Sequence, residues 1–328
     1  MTAGPARGPA GTVSHRLAVE AMATRFELIV EGDDPAALHA AGEEALAVIT
    51  RIESRLSAFQ PKSDIAWING RAGQSAVKVE PRLFALLQRC VALSAATDGA
   101  FDITVGPLMH AWNLSGGVTR DAGDAPDLPS TEEVAEARSR VGSEHLHFDP
   151  CASTIRFGRP GMRIDLGAAG KGYAIDEAIA SLRANGVPGA LLHGGTSSVH
   201  ALGRPIDGEV WKVAWNPPGG RGRLFPLHDG ALSVSAGHGK AFTRNGRQFG
   251  HVIDPCTGWP ADRAVSAIVT GPGSLECDAL STALLVLGAD WLPRMGARFP
   301  GYDGDVAASP ARRAAMGEAP DRSERADR

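Results

Sequence analysis
The run Ile164-Asp165-Leu166-Gly167-Ala168-Ala169-Gly170-Lys171-Gly172-Tyr173 changes character twice within ten residues. Its apolar start reads as a strand ending at Asp165, its glycines as a loop, and a helix opens near Tyr173. Loop amides and a helix N-terminus together make an anion site, and Lys171 adds a full charge at its mouth. The run resembles a phosphate cradle. It is not a Walker A loop, because the G-x-x-G-K-G spacing is short and no Ser or Thr follows the lysine. In isolation, a tight turn with a surface lysine would look the same.

Downstream, apolar strand-like runs (Gly189–Leu192, Val210–Trp215, Ala231–Ser235, Val265–Thr270) alternate with glycine loops and two helices. The helices are Tyr173–Asn185, stopped by Gly186, and Leu275–Leu287, stopped by Gly288. Upstream, Leu17–Glu31 alternates as a strand. Asp34-Pro35 is an N-cap with proline at the first helical position, opening a helix to about Leu56. Pro81–Ala96 carries helical spacing, Leu114–Pro129 is turn-rich, Thr131–Val141 reads as a short polar helix, and Leu146–Phe148 pairs with Thr154–Phe157. Strands and helices mix without strict βαβ alternation, so the fold class is α+β. The expected organisation is a flexible segment at 1–14, one domain at 15–304 and a disordered tail at 305–328, where Ala, Arg, Asp and Glu lose all period.

The chain has 328 residues, 43% of them hydrophobic, and a net charge of -4 without a basic block. A nucleic-acid partner is therefore not expected, since such binding needs a basic face. Cys90, Cys151, Cys256 and Cys277 form no C-x-x-C pair, which suits isolated thiols in a reducing compartment. Met1–Ser14 carries no apolar run, and no stretch is long enough to span a membrane. A cytoplasmic location without a membrane anchor is the expectation.

Three further segments carry chemistry. In Asp278-Ala279-Leu280-Ser281-Thr282, residues four apart on a helix place the Asp278 and Thr282 oxygens on one face. Magnesium accepts such hard ligands and uses few carboxylates, although an acidic residue in a first helical turn is also common. His251-Val252-Ile253-Asp254-Pro255-Cys256-Thr257-Gly258 sets a histidine on an apolar strand before a turn, placed as a general base or as a core histidine. His193, His200 and His238 have spacings that match no zinc set. Ala95–Leu108 (AATDGAFDITVGPL) combines turn residues with the acceptors Asp98 and Asp102 and the aromatic Phe101.

In their order, these blocks resemble the ApbE family, the FAD:protein FMN transferases. The resemblance also covers Met22-Ala23-Thr24, Ser57-Ala58-Phe59 with Ser63 and Asn69, and Gly194-Gly195. It implies an ApbE-like α+β fold of mixed sheets and packed helices, with FAD in a cleft between two parts of the chain. It implies a magnesium-dependent transferase that cleaves FAD to AMP and joins FMN to a Thr or Ser of an acceptor flavoprotein. Carried over by position, Met22, Phe59, Ala100, Phe101, Asp102, Asp165, Lys171 and Ile253 would bind FAD. Ala168, through its backbone oxygen, Asp278, Thr282 and Ser281, which stands where some members have a carboxylate, would form the metal site. His251 would be the catalytic base. Ala23 stands where glycine is usual, Phe59 where tyrosine is common, and Thr196 where Asp or Asn is frequent. A magnesium-dependent FAD pyrophosphatase would use the same residues with water as acceptor. A flavin-binding protein without turnover is the third alternative, and the presence of His251, Asp278 and Lys171 speaks against it.

Overall fold
The structure is a computed structural model that describes residues 12–114, 128–217, 222–237, 242–244 and 247–308. Two strands open the chain, β1 (Val13–Ala21) and β2 (Thr24–Gly32), paired as a hairpin. The single strand expected over Leu17–Glu31 is thus two. Met22 and Ala23 turn the chain with φ of 52° and 55°, and the alternating pattern continues through so short a turn without a break.

Next come α1 (Pro35–Leu56), capped by the Asp34 carboxylate, and α2 (Asp64–Arg71), capped by Ser63. Then follow β3 (Val77–Lys78), α3 (Pro81–Ala96), α4 (Gly106–Ala111), α5 (Thr131–Arg138), β4 (Leu146–Asp149) and β5 (Thr154–Phe157). The α5 helix ends three residues before the expected Val141, and most of the turn-rich 114–129 stretch lies outside the described residues. The expected 1–14 segment also lies largely outside them.

The helix α6 (Gly170–Ala184) begins three residues earlier than expected, which places Lys171 and Gly172 in its first turn. The strand expected to end at Asp165 is not formed; in that stretch an isolated bridge joins Arg163 to Val105. The remaining elements are β6 (Gly189–Gly194), β7 (Ser198–Gly203), β8 (Trp211–Trp215), β9 (Arg223–Leu227), β10 (Gly230–Ala236), β11 (Phe242–Arg244), β12 (Arg247–Phe249), β13 (Ala264–Gly271), α7 (Ser274–Leu287), α8 (Leu292–Arg298) and β14 (Asp303–Ala308). The last strand carries ordered structure beyond the boundary expected at residue 305. The rest of that tail lies outside the described residues.

A seven-stranded sheet, β1-β2-β6-β7-β10-β13-β14, is the frame of the molecule. All its neighbours are antiparallel, which confirms the mixed α+β class. One face is covered by α1 and α6, packed on Phe26, Leu28, Val30, Ala190 and Leu192, and by α7, packed on β10 and β13. On the other face, Leu232 and Ile268 meet Trp211, Trp215 and Leu227 of the β8–β9 hairpin. A three-stranded sheet, β3-β5-β4, shares a core with α3 and α7. The apolar residues of α7 are buried almost all round, as a helix enclosed between a sheet and a second layer requires. No helix among the described residues is long and apolar enough to cross a membrane.

Candidate active site
The site grows from the way α6 and α7 meet. Neither helix has a side-chain cap of its own, since Ala169 and Gly273 stand at their N-cap positions. Each takes a carboxylate from the other. Asp278 of α7 accepts from the Gly172 amide at 3.0 Å, and Asp176 of α6 accepts from Ser274 and Leu275 amides at 2.8 and 2.9 Å. Four orphan amides at each helix start need such partners. The approach is close enough that a Cβ on Gly172 would lie 2.3 Å from the Ser274 carbonyl oxygen, so this position requires glycine.

Asp278 is buried, at 4% exposure. Its Oδ2 lies 3.5 Å from Lys171 Nζ, while Oδ1 accepts from Ser198 Oγ at 3.0 Å and Ser233 Oγ at 2.7 Å. Thr282 and Ser281 donate to the Asp278 carbonyl oxygen at 3.0 and 3.1 Å. Ser235 Oγ joins them, 2.9 Å from Ser281 Oγ and 3.2 Å from Thr282 Oγ1. Asp278, Ser281, Thr282 and Lys171 are therefore brought together, and the carboxylate itself points toward α6 and the serines. Ala168 sits in the turn leading into α6.

Sequence reasoning missed Ser198, Ser233, Ser235 and Asp176. A signal existed for the serines. Ser233 and Ser235 share one face of β10 with buried Ala231, and Ser233 pairs in register with Ser198 of β7, so polar residues recur at core-facing positions of adjacent strands.

Asp165 is half-buried just before the turn that leads into α6. Burial raises its carboxyl above the ordinary value, opposed by the Gly167 amide, which donates to it at 2.8 Å, and by the Arg163 charge. The Asp165 amide donates to the Ile103 carbonyl at 2.7 Å, tying this turn to the GAFD segment. Asn69 secures the same turn, accepting from the Ile164 amide and donating to its carbonyl. Asp102 is committed to its neighbours: its carboxylate accepts from the Thr104 amide and hydroxyl and from the Ser143 amide and hydroxyl, at 2.6–2.9 Å. Ala100 and Phe101 are buried in the core behind it.

His251 is half-buried and lies in an irregular segment, not on a strand. The chain there has left β12, and only Ile253 bridges, to Pro260. Its neighbour Gly250 abuts Gly237, where a Cβ on Gly250 would lie 2.6 Å from the Gly237 carbonyl oxygen. That contact sets the His251 segment beside the end of β10, two residues beyond Ser235. Ile253 is buried against Leu108 and Trp112, and the Trp112 indole donates to the Gly258 carbonyl at 2.8 Å. Met22 donates its amide to Glu53 Oε1 at 2.6 Å, and the Gly195 amide donates to the Arg25 carbonyl, joining the first turn to the glycine pair. Phe59 is exposed, at 53%. The other histidines do not gather: His193 lies by Glu27, His200 by Ser274, and His238 is outside the described residues. Among the described residues no three His, Cys, Asp or Glu side chains form a metal cluster.

Fold and site define a class: an antiparallel α+β protein in which two helix starts each receive a carboxylate from the other helix, with one lysine and several hydroxyls about Asp278. Within it, the chain belongs to the ApbE family, whose profile matches residues 22–303. It is 32% identical over 289 residues to the FAD:protein FMN transferase of Treponema pallidum, covering 82% of this chain and 77% of that one. It is 26% identical over 258 residues to the enzyme of the same name from Haemophilus influenzae, covering 76% and 72%. Among crystal structures, the ApbE protein of Thermotoga maritima superposes with a TM-score of 0.80 at 25% identity, covering 92% of this chain and 98% of that one. The apo form of the Pseudomonas stutzeri flavinyl transferase ApbE gives 0.77 at 25%, covering 94% and 98%.

Proposed function
We propose that this protein is a magnesium-dependent FAD:protein FMN transferase, which joins FMN by a phosphoester to a threonine or serine of a target flavoprotein. The observation that carries this reading is the buried Asp278 carboxylate facing Lys171 and the first turn of α6, in a chain of the ApbE family. The names of the relatives support the activity. The four free cysteines suit a reducing compartment, and with it a cytoplasmic acceptor.

The donor set fits magnesium. It offers one carboxylate and several hydroxyls, all hard oxygens, and magnesium takes few protein carboxylates while keeping waters and phosphate oxygens. Asp278, Thr282, Ser281 and the Ala168 carbonyl would hold the ion, and when bound it would neutralise charge on the phosphoryl oxygens. Lys171 and the α6 amides bind and orient the pyrophosphate. Asp165 and the Asp102-tethered GAFD segment shape the FAD site, Met22 and exposed Phe59 meet the flavin, and buried Ile253, Ala100 and Phe101 back the wall. FAD occupies the cleft between these two parts of the chain. The acceptor hydroxyl oxygen attacks the phosphorus that carries riboflavin, and His251 takes the hydroxyl proton. The bond to the bridging oxygen breaks, and AMP leaves with it.

Incubation with FAD, Mg²⁺ and a candidate acceptor, followed by mass spectrometry, tests this directly. The acceptor should gain one FMN less water, with an equal amount of AMP released. Release of FMN and AMP with the acceptor unmodified would assign a pyrophosphatase, and no turnover a binding protein. Asp278→Ala should lose most activity at low magnesium. His251→Ala should still bind FAD while single-turnover transfer slows by roughly 10²–10⁴-fold, because the proton moves only on the way to the transition state. Transfer at the wild-type rate in that variant would exclude His251 as the base.

A further inference from the structure
We infer that Asp176, supported by His200 and Ser274, is a positioning residue that sets Asp278 against Lys171 and the start of α6. This rests on the proposed role of Asp278. Asp176 touches none of the site groups itself. Its two carboxylate oxygens instead accept from the first two amides of α7, Ser274 and Leu275, and Asp278 follows one turn later on the same helix. His200 is buried at 2% exposure and stands behind this contact, its Nδ1 2.8 Å from Ser274 Oγ and 3.6 Å from Asp176 Oδ1.

The arrangement is lever-like. Gly172 and Asp176 are four apart on α6 and so share one face. At one end of that face the Gly172 amide is fixed to Asp278, and at the other Asp176 is fixed to the helix that carries Asp278. When Asp278 exchanges its contacts with α6 for a cation, Asp176 is the tie that keeps α7 in register. Groups of this kind behind a metal ligand typically change metal affinity by roughly 10–100-fold.

Two measurements separate this proposal from the function it rests on. The first needs no metal or substrate: in ¹⁵N-labelled protein, Asp176→Asn should shift the Gly172 amide and accelerate its hydrogen exchange. Asparagine presents a single acceptor oxygen to two amides, so one bond is lost. The second is titration with Mn²⁺ by electron paramagnetic resonance. Half-saturation should rise roughly 10-fold or more in Asp176→Asn, with transfer recovering at saturating metal. Glu177→Gln removes the adjacent carboxylate, which pairs at the surface with Arg82, and should change neither reading. If Asp176→Asn does not fold, Ser274→Ala, which cuts the His200 link and keeps the backbone amide, should show both effects more weakly. A folded variant with an unaltered Gly172 amide and wild-type Mn²⁺ affinity would overturn the proposal. Failure of the wild-type protein to bind Mn²⁺ or transfer FMN would overturn the function instead, leaving the Gly172 result to decide the positioning role.

Discussion

At the scale of single residues, the most informative departure from the family pattern is Ala23. The substitution for glycine looks slight in sequence, yet the position has a φ of 55°, in the left-handed region. A side chain there costs about 1–2 kcal/mol, partly offset by the greater freedom that glycine has in the unfolded chain. Ala23→Gly should therefore stabilise the protein by about 1 kcal/mol, read as a higher urea midpoint at unchanged m-value. A lower midpoint would mean that the Ala23 methyl makes contacts worth more than the strain. The neighbouring Met22 at 52° is held by its amide bond to Glu53, so the turn has an anchor that no local propensity announces. The family resemblance named Asp278, Ser281 and Thr282 for a metal site and Lys171 for FAD, and in the structure these side chains lie around the start of α6 and the first turns of α7. Asp102 was legible as an acceptor, but not its saturation by Thr104 and Ser143, because Ser143 lies 41 positions away.

At the scale of elements, helices with strong caps were the easiest to read. Asp34-Pro35 and the glycines Gly186 and Gly288 mark true ends. The start of α6 was misplaced because it has no local cap: its partner is Asp278, 106 residues further on. Short strands such as β7 and β9 were missed for a related reason, since each depends on a neighbour for its pairing. The reciprocal caps also carry a pH signature. Burial alone would raise the Asp176 carboxyl, but His200 and the Leu275 and Ser274 amides outweigh it and hold the pKa below its ordinary value. A carboxyl depressed in the folded state adds stability above its unfolded pKa of about 3.9. That contribution is lost as pH falls through the folded value. Wild-type stability in urea should thus decline more steeply below about pH 4 than that of Asp176→Asn. Parallel declines would show that Asp176 ionisation is not coupled to folding.

At the scale of the whole molecule, the α+β class followed from the mixture of periods, whereas the sheet order did not. Pairing of Phe26 with Gly194 or Ser233 with Ser198 joins distant segments whose alternation would suit several partners. The proposed site draws on almost every layer, so its ligand should stabilise the entire fold. FAD at about 100 times its Kd should add about 2.7 kcal/mol, seen as a rise in thermal midpoint. Riboflavin at the same concentration should give a smaller rise, because it lacks the pyrophosphate that Lys171 and α6 receive. Equal shifts for the two ligands would contradict the phosphate site.

The seven-stranded sheet lists its strands in the order in which a ribosome makes them, β1 to β14. Each newly emerged strand can therefore add to the edge left by the one before, and no earlier pair must open to admit it. Asp278 and Thr282 arrive only after β13, the sixth strand of that sheet, has been translated. At roughly 5–20 residues per second, several seconds separate the translation of Gly172 from that of its partner Asp278, 106 residues further on. A nascent chain that has not yet reached α7 therefore lacks the carboxylate that receives the Gly172 amide, and the two helix starts meet only once α7 has been made.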